Sequence, residues 1–309
     1  MDATPPIEFG APTEELTERF RIGGAVPDAV IDRLAAICRS SRDATQLAEH
    51  SRDWWPLAMH WALRGAVPAF PAIVMHPSST SDVAAIAAEC HEHRVPLTAS
   101  GGRSGVSGGA VPAKGGVVID MTSLHGVVDV DATSGVVHVR PGTFGPDLES
   151  TLADHGLSVG HFPQSFELST VGGWIAARGA GQYSTRYGKI DDMVVALEVV
   201  LADGRVIHTG GAPAGADGPD LVSLFVGSEG TLGIITDVWL RAHPRATSTT
   251  HAAYSLDSME VGIEACRRIV RDGATPAVLR LYDAIESKRS HGGDGTRCTL
   301  LVLDEGDDE

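Results

Sequence analysis

The chain has 309 residues, 43% of them apolar, 5% aromatic and 21% charged, a globular composition with no uninterrupted apolar run of about 18 residues to span a bilayer. Its formal charge of −16 excludes broad electrostatic attraction to nucleic acid or to an anionic membrane. Asp304, Glu305, Asp307, Asp308 and Glu309 crowd the end of the chain, but the rest is acidic too.

Thirty-six glycines call for many turns and close backbone approaches. The length allows one large domain or two ordinary ones. Cys38, Cys90, Cys266 and Cys298 lie far apart with no C-x-x-C pair, which reads as reduced thiols rather than a disulfide frame or a zinc site. The acidic, Pro-rich start MDATPPIEFG lacks the basic-then-apolar order of a signal peptide. No peroxisomal or lipidation signal closes the chain. Cytoplasm is the expected location.

Residues 1–66 read as a helical, peripheral segment. Pro27 opens a helix whose apolar face is Val30, Ile31, Leu34 and Ile37. A second run holds Trp54, Trp55, Leu57, Met59 and Trp61 and reads as a helix packed on a neighbouring domain. From Pro68 the texture becomes α/β. A strand at 72–75 leads to a helix capped within Ser79–Asp82, and Val95–Thr98 returns as a strand. After the glycine-rich stretch 100–109 come three short β-rich pieces, GVVIDM, GVVDVD and GVVHVR. Thr143 is placed to cap a helix around Asp147–His155. MVVALEVVLADGRVIHT reads as a hairpin turning at Asp203-Gly204, and GSEGTLGIITDVWLRAHP as one more strand, stopping at Pro244. Beyond 245 the pattern restarts as strand (251–256), helix (258–271), strand (278–282) and strand (299–303). Three strands with one helix make half of a small α+β layer with one sheet face uncovered.

Three constellations carry the chemistry. In Ser100–Gly109, five of ten residues are glycine, which lets backbone N–H groups converge on a phosphate; a plain flexible loop fits equally well. The order is not that of a Rossmann fingerprint, and no Walker Gly-Lys-Ser/Thr is present. Gly105-Val106-Ser107-Gly108-Gly109 matches a hydrolase G-x-S-x-G by letter, but the following Ala-Val-Pro supplies no strand–turn–helix frame. In Gly160–Trp174, Ser169 or Thr170 can cap a short helix whose amino end would face an anion or a polar heterocycle; an ordinary capped helix is the alternative. In Gly227–Ile235, glycines at intervals of three run into an apolar strand, where exposed backbone groups could bond a flavin edge or ribityl chain, or simply form a tight turn. His91 and His93 point to different helical faces, and no histidine cluster suits a metal. Arg280 shares a strand face with Val278 and Tyr282, where it either snorkels or meets an anion.

Taken together and in order, these motifs resemble the flavin-binding half of the vanillyl-alcohol oxidase / p-cresol methylhydroxylase superfamily, and within it the alkyl-dihydroxyacetone-phosphate synthases. GHFPQSFELSTVGGWIAARGAGQYSTRYGKIDDMVV carries most of the likeness; GSEGTLGIIT and TPAVLRLYD add to it. The resemblance implies an α+β fold: a p-cresol methylhydroxylase-type FAD-binding domain of two α/β subdomains (67–245), a helical N-terminal segment (1–66) and an incomplete α+β cap (246–309). It places Ala99, Ser100, Gly101, Gly102, Arg103, Ser104 and Gly105 on the FAD diphosphate. Gln164, Ser165, Phe166, Glu167, Leu168, Ser169 and Thr170 would run along the flavin and its ribityl chain. Ala177, Arg178, Gly179 and Ala180 would make a further FAD contact. Glu229, Gly230, Thr231, Leu232, Gly233, Ile234 and Ile235 would close over the ring and the adenosine side. Arg280 falls on an arginine used for the substrate phosphate.

Two departures matter. The synthases carry a third glycine where this chain has Arg103, and an aspartate where it has Gln164. Some relatives have histidine at the first position and tether FAD through it; a guanidinium forms no such bond, so non-covalent FAD is expected. The family's catalytic tyrosine and histidine-rich segment would lie past Glu309, so no catalytic residue is assigned within the chain, which is expected to be a fragment or to have lost the chemistry. The implied activity is exchange of the acyl chain of acyl-dihydroxyacetone phosphate for a fatty alcohol. An FAD-linked D-2-hydroxy-acid dehydrogenase of the D-lactate or glycolate type, and an inactive FAD-binding remnant, are the alternatives. The expected partner is a small anionic substrate, phosphate or carboxylate, with a homodimer left open.

Overall fold

A computed structural model describes residues 24–211 and 218–306. The Pro-rich start and the last three acids of the tail lie outside the described residues.

The helix Asp28–Ala35 follows Pro27 and buries Val30, Ile31 and Leu34. Strand β1 (Arg39–Ser41) and two short helices, Ala44–Glu49 and Pro56–Ala62, come next. Asp43 caps the first of these by accepting from the Thr45 and Gln46 amides. Both β1 and the Ala44–Glu49 helix escape the sequence reading, because neither shows an apolar period. Strand β2 (Ile73–His76), the helix Thr80–Glu92, β3 (Leu97–Ser100) and β4 (Val117–Asp120) then build a sheet in the order β1-β2-β4-β3. In it β2, β4 and β3 are parallel and β1 is antiparallel to β2. Parallel neighbours need a long crossover. The Thr80–Glu92 helix, capped by Ser79, provides it between β2 and β3. Between β3 and β4 the glycine-rich loop does so instead, and it therefore leaves from the carboxyl end of a parallel strand, where open α/β sheets bind ligands. Val83, Ile86, Ala87 and Cys90 pack the helix onto Ile73, Met75, Val117 and Ile119, with Val200 and Ile234 joining from the second sheet.

That second sheet holds β5 (Val127–Asp131), β6 (Val136–Val139), β8 (Val194–Val200), β9 (Val206–Gly210) and β10 (Ile234–Arg241), in the order β5-β6-β10-β8-β9 and antiparallel throughout. The β8–β9 hairpin turns at Asp203-Gly204, with Gly204 at φ 84°, a conformation that glycine adopts without strain. Valine-rich strands bury alternate residues, Val137 and Val139, Leu197 and Val199, Val238 and Leu240, against the helices Gly145–Ala153 and Val171–Ala176. Thr143 does not cap the first of these helices. Its hydroxyl accepts from the Gly126 amide and donates to the Arg140 carbonyl, and the cap position falls to Phe144. A two-stranded piece pairs β7 (Leu157–Ser158) with β11 (His243–Pro244).

The last sheet, β12 (Ser248–Leu256), β13 (Val278–Tyr282) and β14 (Cys298–Gly306), runs antiparallel in the order β12-β14-β13. The helix Met259–Arg271 lies on it so closely that a Cβ at Gly262 would meet the Leu281 side chain at 2.4 Å. A second helix, Ala284–Ser290, was not foreseen: Asp283 caps it through the Glu286 amide, but its only large apolar residue, Ile285, is 77% exposed, so no apolar period marks it. Tyr187 Oη donates to Glu305 at 2.6 Å and Arg186 reaches Asp304 and the Thr275 carbonyl, joining this layer to the rest.

Candidate functional site

The glycine loop is pressed from several sides. A Cβ on Gly101 would stand 2.5 Å from Thr170 Oγ1, and one on Gly102 would stand 2.0 Å from the Leu168 carbonyl oxygen. The first and second constellations are thus in backbone contact. Gly109 faces Glu229 Oε2 and Gly230 faces Ala99, so the third joins them. Among the described residues, no amide from Gly102 to Ser107 donates to a protein acceptor. These donors lie free along a partly open loop, the arrangement that binds an oxyanion. The Ser100 hydroxyl at the loop's root is buried and without a partner.

The second constellation meets its expected cap but not its expected open amino end. Thr170 does cap the helix Val171–Ala176, accepting from Gly173. Ser169 takes no cap role and accepts from the Trp174 indole at 2.6 Å. The helix's amino end, expected to face an anion, is already satisfied. The Val171 amide goes to the Thr143 carbonyl, that of Gly172 to Pro141, and that of Gly173 to Thr170 Oγ1. With those donors taken, the segment offers an anion little; its contribution is the shape that Gln164–Thr170 present beside Gly101 and Gly102.

Ala177–Ala180 follow that helix directly, and Gly227–Glu229 hydrogen-bond to its end through the Ile175 and Ala176 carbonyls. Beyond them Ala99 and Gly230–Ile234, with Cys90, His91, Arg94 and Val200–Ala202, line a cleft of about 520 Å³. Among the described residues four non-glycines have positive φ: Arg94 (53°), Arg103 (54°), Arg178 (51°) and Glu229 (48°). One lines the cleft and the other three fall one in each of three expected cofactor segments. Arg94 and Arg178 end helices in left-handed turns closed by the Val95 and Gly179 amides, a place usually given to glycine. Such backbone strain, of order 1–3 kcal/mol each, gathers at functional sites.

Sequence reasoning missed two buried groups here. Asp53, 1% exposed, lies under the loop with Oδ2 unpartnered. Burial pushes its carboxyl up, while the amides of Trp55, Ala110 and Gly108 pull the other way. His161, also 1% exposed, has both ring nitrogens unpartnered and sits against Trp174, Gly179 and Gly181. Burial pushes it down to about 4. A histidine among aromatics announces nothing from sequence, and Asp53 is too far from the loop in sequence for spacing to connect them. Arg280 is exposed on β13, its guanidinium 5.8 Å from the Tyr282 ring centre, and takes no part in the contacts that join the loops. Glu89, Glu92 and His93 do gather closely enough to ligate an ion, contrary to expectation, but Arg33 already holds Glu89 at 2.6 Å and His93 at 2.7 Å. All four cysteines are free, and burial pushes Cys90 up to about 12.

Comparison with known proteins bears on this geometry. A family described as "FAD binding domain" matches residues 71–210. Residues 71–210 carry an FAD-binding domain. The chain is 31% identical over 300 residues to alkyldihydroxyacetonephosphate synthase of Trypanosoma brucei brucei, covering 90% of this chain and 47% of that protein. It is 33% identical over 214 residues to glycolate oxidase subunit GlcD of Bacillus subtilis (strain 168), covering 69% and 46%. A solved structure of an alkyldihydroxyacetonephosphate synthase superposes with TM-score 0.83 at 23% identity, over 99% of this chain and 61% of that one. The chain thus spans about half to three fifths of the relatives it matches, and it has their α+β, vanillyl-alcohol oxidase-type fold. Its cofactor is FAD. The residues fit that group: unpartnered loop amides, glycines too tight for any Cβ and an orphaned Ser100 hydroxyl are the chemistry a diphosphate calls for. Among the described residues, no helix is long and apolar enough to cross a membrane.

Proposed function

We propose that the chain holds FAD non-covalently along the three glycine-rich segments and serves an alkyl-dihydroxyacetone-phosphate synthase type of exchange, in which the acyl chain of an acyl-dihydroxyacetone phosphate is replaced by a fatty alcohol. The observation that carries the FAD placement is the run of unpartnered amides from Gly102 to Ser107, in a loop held at Gly101 against Thr170, at Gly102 against Leu168 and at Gly109 against Glu229. In a chain of net charge −16, an anionic diphosphate is best held by backbone N–H groups aimed at it, with side-chain cations secondary. When bound, the flavin supplies an electron-accepting ring to the substrate. Ala99–Gly105 hold the diphosphate, Gln164–Thr170 and Ala177–Ala180 orient the ring and ribityl chain, and Glu229–Ile235 enclose the adenosine side and exclude water. Arg280, exposed and bound to no carboxylate among the described residues, is the group for the substrate phosphate. In this reading residues 67–245 are the FAD-binding domain, 1–66 a helical segment and 246–309 the start of the substrate cap. The protein acts in the cytoplasm, as a monomer or a homodimer.

A second reading, an FAD-linked D-2-hydroxy-acid dehydrogenase, is favoured by the similarity to GlcD. Purified protein with flavin absorption bands near roughly 370 and 450 nm supports the cofactor site in both. Acyl exchange on acyl-dihydroxyacetone phosphate, without bleaching by D-lactate or glycolate, supports the first reading. Bleaching by those acids supports the second. Bound FAD with neither activity overturns both and leaves a flavin-binding remnant.

A further inference from the structure

We infer that Asp53 is a positioning residue for the cofactor phosphates: its buried carboxylate latches the inner side of the glycine loop while FAD occupies the outer side. The inference rests on the reading that Gly101–Gly105 cradle the diphosphate.

The segment His50–Trp55 forms a floor under the loop and lies outside the residues matched to the FAD-binding family. It is firmly held. His50 Nε2 meets Asp120 Oδ2 at 3.1 Å and the Ser51 hydroxyl donates to the Leu47 carbonyl at 2.7 Å. His50, Ser51 and Asp53 are all at most 3% exposed. Above this floor the loop rests directly: a Cβ at Gly105 would stand 3.9 Å from Asp53 Oδ2, and one at Gly108 would stand 2.9 Å from the Trp55 ring. Asp53 Oδ1 accepts from the Trp55 amide at 2.9 Å, whereas Oδ2 is buried without a well-formed hydrogen bond, although the Gly108 and Ala110 amides lie near enough to pull the carboxyl's pKa down.

A buried acceptor without a donor is costly, and so is a set of donors without acceptors. The amides of Gly102–Ser107 and Asp53 Oδ2 each lack a bonded partner, and the Gly108 and Ala110 amides already lean on the carboxyl from the loop's far end. Outward-facing amides turn to the diphosphate; an inward-facing one settles on Oδ2 as the loop tightens. A carboxylate suits this place because both of its oxygens only accept. An asparagine there keeps one acceptor for Trp55 and turns an amide group, itself a donor, toward the loop's donors.

The test titrates FAD into apo protein, followed by quenching of flavin fluorescence, for wild type, Asp53→Asn and Asp53→Ser. Serine keeps an acceptor for the Trp55 amide and removes Oδ2, so it serves if the asparagine variant does not fold. Expected are an FAD Kd raised about tenfold or more in the variants and an apo melting temperature within about 2 °C of wild type. Slower amide exchange at 104–110 on FAD addition is expected in wild type only. Variants that bind FAD within about twofold of wild type overturn the inference, as does a loss of affinity matched by a loss of apo stability. Wild-type protein that takes up no FAD instead overturns the cradle itself, before any variant is compared.

Discussion

At the scale of single residues, Arg280 and His161 make opposite cases. Arg280 is exposed and, among the described residues, its guanidinium meets the Tyr282 ring alone, so its removal leaves the fold and the cofactor loops alone. Arg280→Ala is expected to weaken binding of dihydroxyacetone phosphate by tenfold or more, the scale of a charge-assisted contact of about 1.5–3 kcal/mol, with FAD content unchanged. A joint fall of both would show that Arg280 serves the fold instead. His161 is buried and neutral, its pKa held at about 4 by burial against an ordinary value of 6.5. The unfolded chain therefore binds a proton there that the folded chain refuses between these two values. Stability contributed by the neutral ring is complete above pH 6.5 and is lost as pH falls toward 4, by roughly 3 kcal/mol in all. Urea unfolding at pH 7 and pH 5 reads this slope, and His161→Phe should flatten it. Asp120 adds nothing in that window. Burial pushes its carboxyl up, but hydrogen bonds from His50 and Thr122 outweigh this and hold it at about 2.

At the scale of elements, Thr170 serves two at once. Its hydroxyl ends the Val171–Ala176 helix by accepting from Gly173 and forms the wall against which Gly101 rests. Thr170→Val keeps the branched shape and removes the acceptor. A loss of about 1 kcal/mol is expected from the cap, read in urea unfolding of the apo protein. An unchanged midpoint would mean that water replaces the hydroxyl without cost. The crossover between β3 and β4 shows the same economy: where a helix is the usual connection, a glycine loop spans the distance and leaves its amides free.

At the scale of the molecule, the first two sheets share apolar packing through Val200 and Ile234, whereas the last sheet is held by polar ties. The last sheet is joined through Tyr187 and Glu305, at 2.6 Å, and burial with that hydrogen bond pushes the phenol's pKa up. Tyr187 also lies beneath Gly160, where a Cβ would stand 2.5 Å from its ring, so one side chain touches both the β12–β14 layer and the start of the Gly160–Trp174 constellation. Tyr187→Phe should leave FAD content intact, lower stability by about 1 kcal/mol and speed amide exchange in β14. Unaltered exchange there would locate the join elsewhere.

Much of this was legible in the chain itself. Pro27, Ser79 and Asp203-Gly204 mark their elements because capping and turn chemistry acts within four residues, and valine-rich runs spell out β4, β6 and β8, with β6 burying alternate residues and β4, inside a parallel sheet, burying all of them. The glycine clusters by themselves left plain loops and turns open, and pointed to FAD only through the family that their order resembles. What only the tertiary structure decided is which donors are free. The amino end of the Val171–Ala176 helix looks open in sequence, yet Pro141 and Thr143 occupy it from thirty residues upstream, while the loop after β3 keeps its amides and finds Asp53 beneath it. Hydrogen-bond satisfaction is settled by whatever the fold brings within about 3 Å, and that is a property of neighbours in space, which a linear pattern does not name.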